Sequence, residues 1–378
     1  MHDGADAEPA APDGPGTPPG PSGFERIVKT LVPPMLLALL FALALTTSFS
    51  AALHAPSFHD VAIAVTGPEA RELAAGINGD KEKLGLDASV VASPADVKEQ
   101  IEHRDAYGGF VLAPEGNEVL VAPAANLEIA EVLPTIFKRI VAAQEKKAGV
   151  PAGTSAPAAK VVDVAPLPKE DQSGIVGYFV MLGLAIGAYL AGMMVNSFVR
   201  LRLVGIKLAL GRLLTLACFS IVAPLVILLI VDPIAGYLNG PFLEMWLFLI
   251  LMTFAIAAVA NALIHFFGMA GTAIVVLLVT ILGNPSAGGS VAWPMLPSFF
   301  ATIGPLTPNG AGTDGLRNIV YFHSNAMGSP LLVLAIYAVA GVAFTLVAAM
   351  LRRGRYLSRD EAEAGSASAG AGGAPAIT

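Results

Sequence analysis

The stretch FLEMWLFLILMTFAIAAVANALIHFF, which occupies Phe242–Phe267, decides the fold class. It is longer than the roughly 20 apolar residues that a helix needs to cross a bilayer. Its ionisable side chains, Glu244 and His265, lie near its ends, where water is close. Five more apolar runs occur along the chain, namely Leu31–Leu53, Gly174–Val199, Leu213–Val231, Ala270–Leu282 and Pro330–Leu351. The sequence therefore predicts a polytopic α-helical membrane protein with six transmembrane helices, the fourth and fifth joined by a tight turn at Gly268-Met269.

The composition of the chain points to the same class. Of 378 residues, 55% are hydrophobic and 13% are charged, whereas a soluble globular protein has about 25% charged residues. The mean hydropathy of +0.68 describes a surplus of apolar side chains that lipid must cover. A net charge of −7 gives no reason to expect a nucleic-acid partner, because such proteins carry a basic patch. The single cysteine, Cys218, excludes an intramolecular disulfide.

Residues 54–171 differ from the rest of the chain because they carry most of its charges and alternate strand and helix patterns. Strands are predicted at Val61–Val65, Ala88–Val91, Tyr107–Leu112, Glu118–Val121 and Lys160–Val164. Helices are predicted over Thr66–Ala75, Pro94–His103 and Leu127–Lys147. Ser93 is a suitable N-cap for the second helix, since Pro94 follows it and Asp96 lies in the first turn. The order of these elements predicts a small α/β domain.

The distribution of Lys and Arg predicts the orientation of the chain. Basic residues group at three places, namely Arg26 and Lys29, then Arg200, Arg202, Lys207 and Arg212, and finally Arg352, Arg353, Arg355 and Arg359. The loop 232–241 has no Lys or Arg, and the loop 283–329 has only Arg317. Because cytoplasmic loops are enriched in Lys and Arg, we expect both termini in the cytoplasm of a plasma-membrane protein and the α/β domain outside.

These observations divide the chain into five parts. The first 24 residues are rich in Gly, Pro and Asp without an apolar period, which is typical of a disordered tail. The predicted parts are a disordered tail (1–24), an amphipathic lead-in with the first span (25–53), the extracytoplasmic α/β domain (54–171), a membrane domain with spans two to six (172–355) and a second disordered tail (356–378).

The loop 283–329 is too apolar for a solvated connection, and recurring prolines exclude a long helix. Such a segment predicts a re-entrant pair of short helices in the outer leaflet, since irregular backbone is tolerated there only within protein or beside a water-filled cavity. A purely structural cap over the helices is the alternative. The candidate pathway residues are Asn284, Pro285, Trp293, Pro297, Phe299, Phe300 and Arg317.

The segment after the second span keeps a helical apolar pattern with interspersed basic residues. We interpret Arg200, Arg202, Lys207 and Arg212 as a docking surface for a cytoplasmic partner. Ordinary positive-inside anchoring explains them equally well.

Motifs of enzymes are missing from the sequence. Gly310–Gly315 matches G-x-G-x-x-G, but it follows Pro305 and Pro308 instead of a strand, so a dinucleotide site is not expected. No P-loop and no clustered catalytic or metal-ligating residues occur. We therefore expect a protein that is not an enzyme and has no cofactor.

The layout as a whole resembles ABC-2-type transporter permeases, especially the YhgE/Pip (phage infection protein) branch of actinobacterial type. The resemblance extends from Phe24 to Arg355. It is carried by Tyr107–Leu112, Gly283–Gly289, Leu296–Phe300 and Pro305–Val320. It implies an exporter permease for a lipophilic or envelope-linked substrate, which pairs as a homodimer or heterodimer, contacts membrane lipid and is powered by a separate ATP-binding-cassette ATPase subunit. The alternative is a non-transporting envelope scaffold or receptor whose outer domain binds a ligand or protein partner.

Overall fold

A computed structural model describes residues 23–147, 159–198 and 205–371. Within these ranges five helices are long and apolar enough to cross a membrane, namely Met35–Leu53, Val176–Asn196, Ile206–Ile234, Phe242–Phe267 and Gly328–Leu351. This confirms a polytopic helical membrane protein. The fifth predicted span corresponds to a shorter apolar helix, Met269–Gly283. At 1.5 Å per residue it covers about 22 Å, which is less than the roughly 30 Å of a hydrocarbon core.

The helices are numbered in chain order. They are α1 (Gly23–Leu53), α2 (Ala70–Gly79), α3 (Lys81–Leu84), α4 (Pro94–Glu102), α5 (Leu127–Lys147), α6 (Val176–Phe198), α7 (Ile206–Leu229), α8 (Phe242–Phe267), α9 (Met269–Val275), α10 (Ser298–Ile303), α11 (Pro308–Tyr321) and α12 (Gly328–Ala371). Turns of π-helix continue α7 over Ile230–Ile234 and α9 over Val276–Gly283, and 3-10 turns occupy Trp293–Met295 and Gly304–Leu306.

Helix α8 is the centre of the helical cluster. It packs against α6, α7, α9, α11 and α12. Its buried face is rich in alanine, including Ala255, Ala257, Ala258 and Ala260, and small residues let neighbouring helices approach closely. Gly268 has φ of 61° and ends α8, so that α9 starts at the next residue and returns alongside it. The predicted tight turn at this position is thus observed.

The α/β domain contains a five-stranded mixed sheet with the order β2-β1-β3-β4-β5. The strands are β1 (Val61–Thr66), β2 (Leu86–Val90), β3 (Gly108–Val111), β4 (Glu118–Val121) and β5 (Lys160–Asp163). Only β3 and β4 are antiparallel, as expected for the hairpin that joins them. Each predicted strand is found, although β2 begins two residues earlier than predicted. Helix α2 was predicted from Thr66 but begins at Ala70, because Thr66 still belongs to β1, and the short helix α3 was not predicted.

Alternate residues of the strands supply the two faces of this sheet. Ile63 and Phe110 point to the face that α2 and α5 cover. Ala64 and Val111 point to the opposite face, which α4 covers together with Phe322, a residue just after α11. The loop before α10 also enters the first face, since Met295 is buried there. The second core of the α/β domain is therefore completed by a residue that follows the membrane-domain helix α11.

Two segments differ from the predictions. The loop 283–329 contains the 14-residue helix α11, although its prolines predicted only short pieces. Pro308 is the first residue of α11, where the missing N–H of proline has no intrahelical partner anyway. Helix α12 runs to Ala371, beyond residue 355, where the membrane domain was predicted to end. The predicted tail 1–24 lies outside the described residues up to residue 22.

Candidate functional site

Helix α11 is buried among α6, α8 and α12. Thr307 caps it, because its hydroxyl accepts a hydrogen bond from the Gly310 N–H at 3.0 Å. The glycines of the G-x-G-x-x-G pattern allow this burial: an added Cβ would lie 2.0 Å from the Gly304 carbonyl oxygen at Gly310 and 2.2 Å from the Phe248 ring at Gly315. The pattern therefore serves helix packing in this chain.

Asn309, at the start of α11, is completely buried. Its side-chain amide donates hydrogen bonds to the Val279 carbonyl at 3.0 Å and to the Asn284 side-chain oxygen. The backbone carbonyl of Asn309 accepts a hydrogen bond from the Thr313 hydroxyl at 2.9 Å. The predicted residue Asn284 is thus joined to a partner that the sequence analysis did not single out.

The turn Asn284–Gly289 is held by two more of the predicted residues. The Trp293 indole N–H donates to the Ser286 carbonyl at 2.9 Å. Arg317 donates to the Gly288 and Gly289 carbonyls at 3.0 and 3.1 Å. Four of the seven candidate pathway residues, Asn284, Pro285, Trp293 and Arg317, therefore meet at a single turn, which α11 contacts through Asn309 and Arg317.

The other three candidate pathway residues lie outside this turn. Pro297 immediately precedes α10. Phe300 is buried and belongs to a small cluster with Ala52 and Leu296. Phe299 is 56% exposed. The two neighbouring rings of α10 thus face different surroundings, although they remain in edge contact at 5.2 Å.

The far end of α11 contacts the α/β domain through Arg104, which follows α4. The Arg104 guanidinium donates to the Asn318 side-chain oxygen at 3.2 Å and to an Asp314 carboxylate oxygen at 3.3 Å. It also lies 4.6 Å from the centroid of the buried Phe322 ring. Burial raises the pKa of the neighbouring Tyr107, and the positive charge of Arg104 opposes that increase. An ion pair, an amide and an aromatic ring therefore connect the two parts of the protein.

A cavity of about 270 Å³ lies between the start of α5 and the residues around Arg317. The α/β domain contributes the start of α5, including Glu128 and Glu131, and the membrane domain contributes Ser173, Gly174 and Arg317. Its walls are thus shared between the two parts.

A second polar cluster links four helices at the other end of α6. Arg212 donates to the Asn196 side-chain oxygen at 3.1 Å and approaches His265 Nδ1 at 2.8 Å. Asn196 in turn donates to the Asn261 side-chain oxygen at 2.9 Å, and Asn261 donates to the Thr345 hydroxyl at 3.0 Å. These side chains come from α6, α7, α8 and α12. The sequence singled out Arg212 as a docking residue and His265 as an ionisable group near the end of a span, and it did not predict that they meet.

The predicted docking residues do not share one environment. Arg212 is only 9% exposed and forms the contacts just described, so in this conformation its guanidinium is directed toward helices of its own chain. Lys207 is exposed near the start of α7. Arg200 and Arg202 lie outside the described residues.

Comparison with known proteins assigns the chain to a family. A search of curated proteins finds no match. The family model described as "ABC-2 family transporter protein" matches residues 27–350, which include the α/β domain and the helices on both sides of it. Since this match covers most of the chain, the protein belongs to the ABC-2 transporter family, whose members are multi-pass transport permeases.

Proposed function

We propose that the protein is an exporter permease that moves a lipophilic or envelope-linked substrate across the plasma membrane. A separate ATP-binding-cassette ATPase powers it, and two permease subunits, identical or different, form the pathway. Family membership supports a transport role. The observation that carries the proposal is the position of α11, which packs within the helical cluster and contacts the α/β domain.

The orientation of the chain follows the positive-inside rule. Both termini and the Arg212 cluster are cytoplasmic, and the α/β domain is extracytoplasmic, with Met269–Gly283 as the sixth crossing although it is shorter than the other five. The direction of the helices supports this arrangement, because α6 starts at the linker from the α/β domain and carries Asn196 near its other end. The YhgE/Pip branch remains the expected relative within the family.

Helices α10 and α11 form the re-entrant segment of the pathway. Short helices and turns at membrane depth are tolerated where protein surrounds them, and α11 meets that requirement because most of its residues are buried. Movement of α11 between two packed positions would alter the turn Asn284–Gly289 and the α/β domain together, since it contacts both.

The ATPase docks on the cytoplasmic segment that contains Arg200, Arg202 and Lys207. A displacement of this segment would also move the start of α7, because the two are continuous in the chain. From there the contacts of Arg212 with Asn196 and His265 connect it to α6 and α8. The bond between Asn261 and Thr345 extends the connection to α12. We infer that this cluster transmits ATPase movement to the helices that surround α11.

Reconstitution tests the proposal. The tagged permease is purified from its native cells in mild detergent, and ATP-binding subunits that accompany it are identified by mass spectrometry. The complex is placed in proteoliposomes with fluorescent lipids, and transport is followed with ATP or a non-hydrolysable analogue. We expect ATP-dependent transport. Failure to recover any ATP-binding subunit, together with the absence of an ATP effect, would refute the proposal.

A further inference from the structure

An apolar cavity of about 260 Å³ lies between α8, the end of α9, α10 and α12. Its walls include Val259 and Leu263 of α8, Leu278 and Leu282 of the α9 extension, Phe299 of α10 and Tyr337 of α12. Its volume is slightly below the roughly 300–1,000 Å³ of sites for drug-sized ligands. A slender molecule suits this space better than a bulky one.

The lining of this cavity offers no charged anchor for a ligand, and the polar side-chain groups among its residues are the hydroxyls of Thr307 and Tyr337. None of the residues that line it is Asp, Glu, Lys, Arg or His. The Thr307 hydroxyl in its wall is already used, because it donates to the Gly304 carbonyl at 2.9 Å and accepts from the Gly310 N–H at 3.0 Å. Water is poorly accommodated by such a lining, since a buried water needs two to four polar partners. The chemistry of the cavity therefore selects hydrocarbon.

The shortness of the α9 segment gives lipid acyl chains a route to the cavity. Met269–Gly283 does not cover the full thickness of a bilayer, as described above, and lipid adjusts around a helix that is too short. The cavity lies where this segment ends and α10 begins. Leu278, Phe299 and Leu306 at its edge are 45%, 56% and 62% exposed. In a membrane these exposed side chains contact lipid, so the cavity communicates with the acyl chains around the protein.

We propose that this groove binds one acyl chain of a membrane lipid. The chain enters beside Phe299 and lies between α8 and α12, so that the apolar walls keep their van der Waals contacts instead of facing empty space. Since the lining has no charged residue to recognise a headgroup, lipids with different headgroups bind equally. This inference concerns a ligand of the resting permease and does not depend on ATP-driven transport.

Photolabelling tests the assignment. The protein is placed in nanodiscs with a phospholipid that carries a diazirine on its acyl chain, without ATP or partner, and labelled residues are mapped by mass spectrometry. Labelling of Leu278, Phe299 and Tyr337 should exceed that of Val339 several-fold, although Val339 is 69% exposed on α12. Phosphatidylcholine and phosphatidylglycerol probes should label alike. Equal labelling of the groove and Val339, or dependence on the headgroup, would overturn the proposal.

A matched pair of variants provides a second measurement. Val259→Phe fills the groove and should reduce its labelling several-fold, whereas Val339→Phe makes the same change outside it and should not. Only variants that elute at the same volume as the parent protein on gel filtration are compared. If Val259→Phe does not fold, the labelling map of the parent protein still tests the proposal. A second copy of the chain is the competing occupant. In a Cys218→Ser background, efficient disulfide formation between copies through Phe299→Cys would overturn the acyl-chain assignment.

Discussion

Arg104 donates a hydrogen bond to Asn318, 214 residues later in the chain, with 3.2 Å between Nε and Oδ1. The Arg104 backbone has φ of 67°, a left-handed conformation that is uncommon for residues other than glycine. The same guanidinium pairs with Asp314, and the two side chains are only 10% and 17% exposed. A short segment after α4 is therefore held in an unusual conformation where it contacts α11, and this contact gives the α/β domain a direct connection to the helical cluster.

Removal of this connection should loosen the α/β domain. Arg104→Ala leaves the Asp314 carboxylate without its cation, and a hydrogen bond to a charged group contributes about 1.5–3 kcal/mol. We expect a lower melting temperature in detergent and faster proteolysis between α5 and α6. Lys98→Ala is the control, because the Lys98–Glu102 pair is largely exposed and such pairs contribute about 0–1 kcal/mol. Equal effects of the two substitutions would show that the Arg104 contact does not hold the domain.

The glycine pattern of α11 should tolerate no side chain. In Gly310→Ala the new Cβ would lie 2.0 Å from a backbone oxygen, so α11 has to shift, and crowding of this kind costs about 1–3 kcal/mol. Gly183→Ala in α6 is the matched change, since nothing lies within 4 Å of its added Cβ. It should leave stability unchanged or raise it by about 0.5–1 kcal/mol, the usual preference of a helix for Ala over Gly. Thermal melting of both purified variants decides the point.

The contact between Asn284 and Asn309 should appear as an energetic coupling. Asn284→Ala and Asn309→Ala each remove one partner, and the remaining amide stays buried. We expect each single variant to lose about 1–3 kcal/mol of stability. The double variant should lose less than the sum of the two, with a coupling of at least about 0.5 kcal/mol. Additive losses in the unfolding measurement would contradict the proposed pairing.

Features that depend on neighbouring residues could be predicted from the sequence, whereas contacts between distant parts of the chain could not. The Ser93 cap was predicted from local pattern, and the structure confirms it: Ser93 Oγ accepts from the Asp96 N–H and Asp96 accepts from the Ser93 N–H. The strands were likewise readable because alternation and turns are local signals. Arg104 and Asn309 have no such signal, since their partners lie far away in the chain. Pro308 was even misleading, because a proline that excludes helix interior favours a helix start.

We expect the stability of the protein to fall at alkaline pH, because the tyrosine beside Arg104 is buried. Burial raises the pKa of Tyr107 above its ordinary value of 10.0, with Arg104 opposing the increase. The folded protein therefore holds this proton more tightly than the unfolded chain does. The corresponding stability is fully present below pH 10 and is lost as pH rises from there through the folded pKa. Tyr107→Phe should flatten this part of the pH–stability profile, whereas Tyr237→Phe, at an exposed position, should not. Identical profiles for parent and Tyr107→Phe would exclude this contribution.

Lys207 and Arg212 lie five positions apart in the chain, but we expect substitutions at the two positions to have different effects. Lys207 is exposed, so Lys207→Glu should reduce the ATPase subunit that co-purifies with the permease and leave its melting temperature unchanged. Arg212 is buried against Asn196 and His265. Arg212→Gln should retain the ATPase but lower transport per bound ATPase, because α7 loses its charged contact with α6 and α8. Stability should fall by about 1–3 kcal/mol, the range for a disrupted buried hydrogen bond. If Arg212→Gln released the ATPase while its melting temperature stayed constant, Arg212 would belong to the docking surface and the proposed transmission through the polar cluster would be wrong.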